Sequence, residues 1–169
     1  YDLNDNSLRS FSKLDGLASL DITALAYDPE NSQLIIGYRN GNLDVLKDNQ
    51  IKNIPYIVMA NILSEKTINN IFIDEELAYI SCPFGLVVLN IATSDIKETY
   101  YFPQEGVNTE VFDSHVFNEH IHTTADGFLA NKIFVGTESG LFYADKNDNL
   151  LDFEVWESGS RIDFSTEAA

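Results

Sequence analysis

Three observations in this 169-residue sequence predict an all-β fold, a partial β-propeller of four-stranded antiparallel blades. The first is a recurring phrase: LIIGYRNGNLDVL at Leu34–Leu46, LAYISCPFGLVVLN at Leu77–Asn90 and KIFVGTESGLFYAD at Lys132–Asp145. Each is two short apolar runs joined by a polar turn ending in glycine. Gly41 and Gly85 stand 44 residues apart, Gly85 and Gly140 55. A self-similar unit of roughly 40–50 residues marks a propeller or solenoid array. The second is composition: 44% of residues are hydrophobic, and 11 Phe and 8 Tyr sit largely in short runs with Val and Ile, as half-buried strands prefer. The third is turn chemistry. Asn, Asp and Gly clusters separate the runs, and these residues tolerate the backbone that tight turns need.

Taken in order, residues 1–13 read as the back half of a blade. Tyr1-Asp2-Leu3 ends one strand, Asn4-Asp5-Asn6 turns, and Leu8–Lys13 resumes as a strand. Residues 13–19 connect to the first complete blade, residues 22–57. Its first strand alternates Ile22, Ala24 and Ala26 with Thr23, Leu25 and Tyr27, which predicts that both faces are at least partly covered. Asp28–Ser32 turns, with Pro29 fixing φ. Gln33–Arg39, Leu43–Leu46 and Ile51–Ile57 complete the sheet. A short helical turn is expected at Met59–Leu63.

The second blade, residues 67–102, repeats this with strands at Ile68–Asp74, Leu77–Ser81, Leu86–Ile91 and Ile96–Phe102. The third, residues 111–157, is preceded and interrupted by extra chain between Pro103 and Asn131. Its strands are expected at Val111–Ile121, from Lys132, at Leu141–Asp145 and at Leu151–Trp156. Insertions in repeat arrays emerge on one face, where binding often occurs. Residues 161–169 are the start of a further blade or a tail. The whole is expected to be one fragment, 1–169, of a larger propeller domain. The opening residues carry no basic region followed by an apolar run, so no signal peptide is expected within them.

Each repeat glycine lies at a hairpin tip, where positive φ is required. Gly37 and Gly136 sit four residues earlier, inside a strand, where a missing side chain lets neighbouring blades approach.

Charge excludes some partners. Ten basic and 27 acidic residues give a net charge of −17, which repels nucleic-acid backbones and anionic bilayers. The preferred reading is a well-solvated acidic surface. No run reaches the roughly 18 apolar residues of a spanning helix. With one cysteine, Cys82, no intrachain disulfide and no cysteine zinc cluster can form; a buried, inert thiol is expected there.

Candidate chemistry is sparse. Asp145-Lys146-Asn147-Asp148-Asn149 imitates the opening of a calcium loop. The next position is Leu150 where glycine is needed, and position twelve is Trp156 where an acid is needed. Asp2–Asn6 fails likewise, with Lys13 at position twelve. Both coincide with predicted hairpin tips. His115, His120 and His122 cluster, and His120 and His122 would share a strand face. Glu119 or Asp113 could complete a zinc set. They fall in the irregular insertion, where polar loop residues are expected, and no metal or cofactor is assigned to them. Glu75 and Glu76 are adjacent on a turn and diverge. No serine sits in a nucleophile elbow and no glycine loop opens a helix. No catalytic residue is assigned, and no binding residue is singled out.

A set of ordered phrases carries a resemblance. SKLDGL (Ser12–Leu17), DITALAYDP (Asp21–Pro29), Leu34–Leu46, NIP (Asn53–Pro55), EKTINNIFID (Glu65–Asp74), FGLVVLN (Phe84–Asn90) and IKETYY (Ile96–Tyr101) resemble the N-terminal propeller of PorZ-type proteins, surface components of the type IX secretion system. FVGTESGL (Phe134–Leu141) equally resembles the propellers of periplasmic two-component regulators. The resemblance implies a larger protein with two propellers and a β-sandwich sorting domain. It implies a non-catalytic role at the cell surface, outer-membrane-associated or periplasmic, helping to attach exported cargo. The implied partners are other secretion-system surface proteins and anionic lipopolysaccharide. The rival reading is the ligand-sensing propeller of a hybrid two-component regulator.

Overall fold

The computed structural model describes residues 10–118 and 131–159. Three four-stranded antiparallel sheets follow one another along the chain, each with its strands in sequence order. The first holds β1 (Ile22–Asp28), β2 (Gln33–Tyr38), β3 (Leu43–Lys47) and β4 (Gln50–Ile54). The second holds β5 (Asn70–Asp74), β6 (Leu77–Cys82), β7 (Gly85–Asn90) and β8 (Asp95–Tyr100). A two-stranded hairpin, β9 (Pro103–Gln104) and β10 (Val107–Asn108), stands between the second and third sheets. The third sheet holds β11 (Val111–Phe117), β12 (Lys132–Thr137), β13 (Gly140–Asp145) and β14 (Glu157–Ser158).

Neighbouring sheets meet most closely through their first strands, β1 with β5 and β5 with β11. Those strands therefore form the inner end of each blade, and β4, β8 and β14 the outer end. The sheets are blades stacked face to face, not one continuous sandwich.

Two cores fill the junctions. Between the first and second blades lie Ile35, Leu43, Val45, Ile54, Ile68, Ile71, Ile80, Val87 and Leu89. Between the second and third lie Leu86, Val88, Phe102, Val111, Ile133, Val135, Phe142 and Trp156. Val87 and Val88 thus point to opposite neighbours, the period-2 consequence of a strand buried on both sides. Phe102 gathers the second core: its ring lies 4.9 Å from Trp156 and 5.5 Å from Phe142, centre to centre.

Several expectations need correction. Within Leu8–Lys13, residues 10–12 form no strand. Lys13–Asp15 is a 3₁₀ turn, with Ser12 accepting from Leu14 N at 3.2 Å and Asp15 Oδ2 accepting from Ser12 N at 2.9 Å. This reciprocal cap stabilises a helical start more than an extended chain could. Leu25 and Tyr27 are 58% and 61% exposed. They lie on the face turned from the second blade, where, among the described residues, Phe11, Leu17 and Ala18 pack with the group containing Ile36 and Tyr38. The fourth strand of the first blade stops at Ile54, because Pro55 caps a short helix, α1 (Tyr56–Met59), earlier than the predicted turn.

In the third blade, residues 151–156 are not a strand. Asp152 Oδ1 accepts from Glu154 N at 3.0 Å, Phe153–Val155 is a 3₁₀ turn, and Trp156 Nε1 donates to Leu150 O at 3.0 Å. The alternation of LDFEVW there serves aromatic packing around Phe102, not a ladder. The predicted strand at Arg161–Phe164, residues 1–9, His120 and His122 lie outside the described residues.

Candidate functional site

The β1–β2, β3–β4, β5–β6 and β7–β8 turns and the C-terminal ends of β11 and β13 lie at one end of the stack, so that end gathers side chains from successive repeats. The second junction is clasped there. Asp74 ends β5, and its Oδ2 accepts from Lys146 Nζ at 2.7 Å. Asn118 Nδ2 donates to Asp74 Oδ1 at 2.6 Å, and Asn118 Oδ1 accepts from Lys146 Nζ at 2.9 Å. Asp74 is 8% exposed, so this triad excludes most water and its charge-assisted bonds are worth more than surface pairs. At the other end of the same junction, Asn69 Nδ2 donates to Glu110 Oε1 at 2.9 Å and to Val111 O at 2.8 Å. Asn70 donates to Asp113 beside it.

The first junction is built differently. Asp28 occupies the position of Asp74, since Asp28 pairs with Gln33 as Asp74 pairs with Leu77. Among the described residues no lysine pairs with it. Its carboxylate accepts from Glu30 N, Asn31 N, Asn31 Nδ2 and Gln33 Nε2 at 2.8–3.1 Å. Burial alone would raise the Asp28 carboxyl, but these four donors outweigh it and hold the group below its ordinary value. The repeat position of Lys146 is filled by Ile91, buried and apolar. A groove of about 570 Å³ remains open, lined by residues that include Asn31, Gln33, Lys47, Gln50, Lys52 and Ser94. Lys52 Nζ spans it, donating to Ser94 Oγ at 2.8 Å.

A third polar centre lies inside the first blade. Asp44 is fully buried; Tyr38 OH donates to its Oδ2 at 2.6 Å, Ala18 N at 2.8 Å, and Asn53 Nδ2 to its Oδ1 at 2.8 Å. Burial first, then the Asp44 carboxylate, pushes the Tyr38 phenol well above its ordinary value. Every strong acceptor is matched here, which reads as a fixed structural element.

Of the residues singled out by sequence pattern, Glu119, His120 and His122 lie outside the described residues. His115 packs between Phe72 and Phe117, ring centres 4.4 and 4.6 Å away. Among the described residues no three His, Cys, Asp or Glu side chains gather closely enough to hold a metal ion. Asp145 Oδ1 accepts from Asn147 N at 2.9 Å, so the calcium-like phrase folds as an Asx turn. Cys82 is fully buried, and burial pushes its thiol far up, away from the reactive thiolate. Glu75 and Glu76 are exposed on their turn.

Gly37 and Gly136 also part ways. A Cβ on Gly37 would lie 2.5 Å from Ile68 Cγ2, whereas at Gly136 the nearest described atom is Asp113 O at 3.9 Å. Among the described residues, close approach thus explains Gly37 and not Gly136. The lysines, Asn69, Asn118 and Ser94 were invisible to motif reading. The only signal was that Asp28 and Asp74 end equivalent strands.

The family model for the N-terminal β-propeller domain of the type IX secretion protein PorZ matches residues 1–157. Among solved structures, PorZ of Porphyromonas gingivalis, described as an essential bacterial surface component of the type IX secretion system, is 28% identical with a TM-score of 0.69. That match covers 88% of this chain and 18% of PorZ, so the chain spans under a fifth of that protein's length. The extracellular domain of a one-component system from B. thetaiotaomicron matches at 19% identity and TM-score 0.61, covering 89% of this chain and 18% of that one. The extracellular domain of a hybrid two-component system from the same organism matches at 15% identity and TM-score 0.58, covering 81% and 18%. These last two show a shared fold alone. No curated protein matches the chain in sequence.

Proposed function

The chain belongs to the family of PorZ N-terminal β-propeller domains, and on that premise we propose that it is a non-catalytic scaffold and binding module of a type IX secretion surface protein. The family match, over nearly the whole chain, carries this reading. The site geometry supports it: the polar side chains at the second blade junction are spent on each other, as in the Asp74–Lys146–Asn118 triad. No described helix is long and apolar enough to cross a membrane. The module works outside the cytoplasm, on the cell surface or in the periplasm, alongside other secretion-system proteins and anionic lipopolysaccharide. In the intact protein, further blades complete the ring and cover the apolar face carrying Leu25 and Tyr27.

Deleting the encoding gene and fractionating the culture tests the role. Cargo that is normally cell-bound is expected in the medium or retained in the periplasm. Unchanged surface attachment would refute the secretion reading and return attention to the sensing alternative, which then requires a kinase or DNA-binding region in the same polypeptide.

A further inference from the structure

The groove at the first blade junction combines an unpaired strand edge with uncompensated positive charge. Its outer wall is β4, the last strand of its sheet. Among the described residues, one side of β4 therefore carries backbone N–H and C=O groups with no strand partner. Two of the chain's ten basic residues, Lys47 and Lys52, line the groove. Among the described residues the ion pairs are Arg39–Asp21 and Lys146–Asp74, so neither groove lysine is matched by a carboxylate. Asp48 is the one acid on the lining.

Register fixes which way these side chains point. Val45 pairs with Lys52 and Lys47 with Gln50. Val45 belongs to the core facing the second blade, so Lys47, Gln50 and Lys52 share that direction. Ile51 and Leu46 face the other way, half-buried, beside Ile36 and Tyr38. A strand laid along β4 would alternate in the same sense. One set of its side chains would enter the groove beside the two ammonium groups, and the other would lie against Leu46 and Ile51.

We propose that β4 accepts, by strand addition, an extended segment of a partner protein with carboxylates on alternate residues and apolar side chains between them. Main-chain hydrogen bonds supply affinity in this mode and alternate side chains supply selectivity. The chain's net charge of −17 disfavours acidic ligands elsewhere on its surface, which confines recognition to this groove. The second blade lacks the site, because Lys146 occupies the corresponding place at its junction and is already bound to Asp74. The proposal rests on the binding-module reading but not on the secretion role. It is tested in vitro with purified protein, so the two can fail separately.

The test is fluorescence anisotropy with the intact chain and a labelled hexapeptide alternating Glu and Val. Binding is expected, with at least tenfold weaker affinity for the Gln-Val counterpart and none for Lys-Val. Lys47→Gln/Lys52→Gln, at two exposed positions, is expected to lower affinity for the acidic peptide about tenfold while circular dichroism stays unchanged. Methylating alternate backbone nitrogens of the peptide is expected to abolish binding. Equal binding of the Glu and Gln peptides would overturn the proposal. So would a double variant that merely self-associates with unaltered peptide affinity, since lysines on an edge strand also serve to block edge-to-edge pairing. Displacement of the peptide by an oligouronate, with methylation harmless, would make the groove an anion site and not a strand acceptor.

Discussion

Gly37 and Gly136 occupy the same place in two blades, so substituting each separates a repeat rule from a junction contact. Gly37 pairs with Ala24 and Leu43, and Gly136 with Asp113 and Leu141. Gly37→Ala would set a methyl 2.5 Å from Ile68 Cγ2, 2.9 Å from Ile68 Cβ and 3.2 Å from Ile71 Cδ1. Ile68 is fully buried, so it cannot swing into solvent, and the blades must part slightly. Overpacking of this kind costs about 1–3 kcal/mol. Gly136→Ala meets nothing nearer than 3.9 Å among the described residues, and neither glycine has positive φ. There the smaller entropy of the unfolded chain should leave the protein level or about 0.4–1 kcal/mol more stable. Urea unfolding, followed by circular dichroism and by the single tryptophan, Trp156, measures both. Ile68→Ala alone should cost about 2–5 kcal/mol, but in the Gly37→Ala background its cost should be visibly smaller, because the same side chain is the obstacle. Equal losses at the two glycines, or strict additivity with Ile68→Ala, would refute the close-approach argument.

Four further outcomes follow from the junctions and buried groups. Lys146→Met should destabilise by roughly 1–3 kcal/mol by stripping a charge-assisted bond from Asp74, and adding Asp74→Asn should cost less than the two singles summed in a double-mutant cycle. Ser81→Ala should be neutral or gain about 1 kcal/mol in urea unfolding, because Ser81 is fully buried and its Oγ has no hydrogen-bond partner among the described residues. Asp28 has a folded pKa below its ordinary 3.8, so its contribution is complete above that value and is lost as pH falls through the folded pKa; Asp28→Asn should flatten the acid limb of a stability–pH profile below about pH 4. Tyr38, Tyr79 and Tyr100 shift the opposite way, all first by burial, with Tyr79 pushed up to about 12 from 10.0. Their contribution is intact below pH 10 and is lost as pH rises above it, so tyrosinate absorbance should appear together with unfolding rather than ahead of it.

The blade was legible in the sequence because its determinants are local. Alternation, hairpin glycines and turn acids act within a few residues, and they place β2, β3, β6, β7 and β13 to within a residue of the observed ends. The errors lie where a distant partner outweighs the local pattern. Residues 151–156 alternate like a strand, yet Phe153 and Trp156 are drawn onto Phe102, more than fifty residues earlier in the chain. The β9–β10 hairpin did carry a signal, Glu105-Gly106, which takes positive φ at both positions; it was lost inside a stretch read only as insertion. The clasp was illegible for a plainer reason: Lys146 and Asp74 are 72 residues apart, and no spacing rule connects them.

The repeat therefore specifies blades, and departures from the repeat specify junctions. At the second-strand position Gly37, Ser81 and Gly136 are equivalent by pairing, but among the described residues only Gly37 is forced by its neighbour. At the turn after the third strand, Ile91 and Lys146 are equivalent, and the change from apolar to cationic converts an open groove into a closed triad. Asp28 shows the compensation this requires. Deprived of a lysine, it recruits four donors from its own turn, keeping the buried carboxylate satisfied without closing the space in front of it. A scaffold assembled from near-copies can bind selectively only where the copies differ. In this chain one such difference, in charge and in open volume, lies between the first two blades.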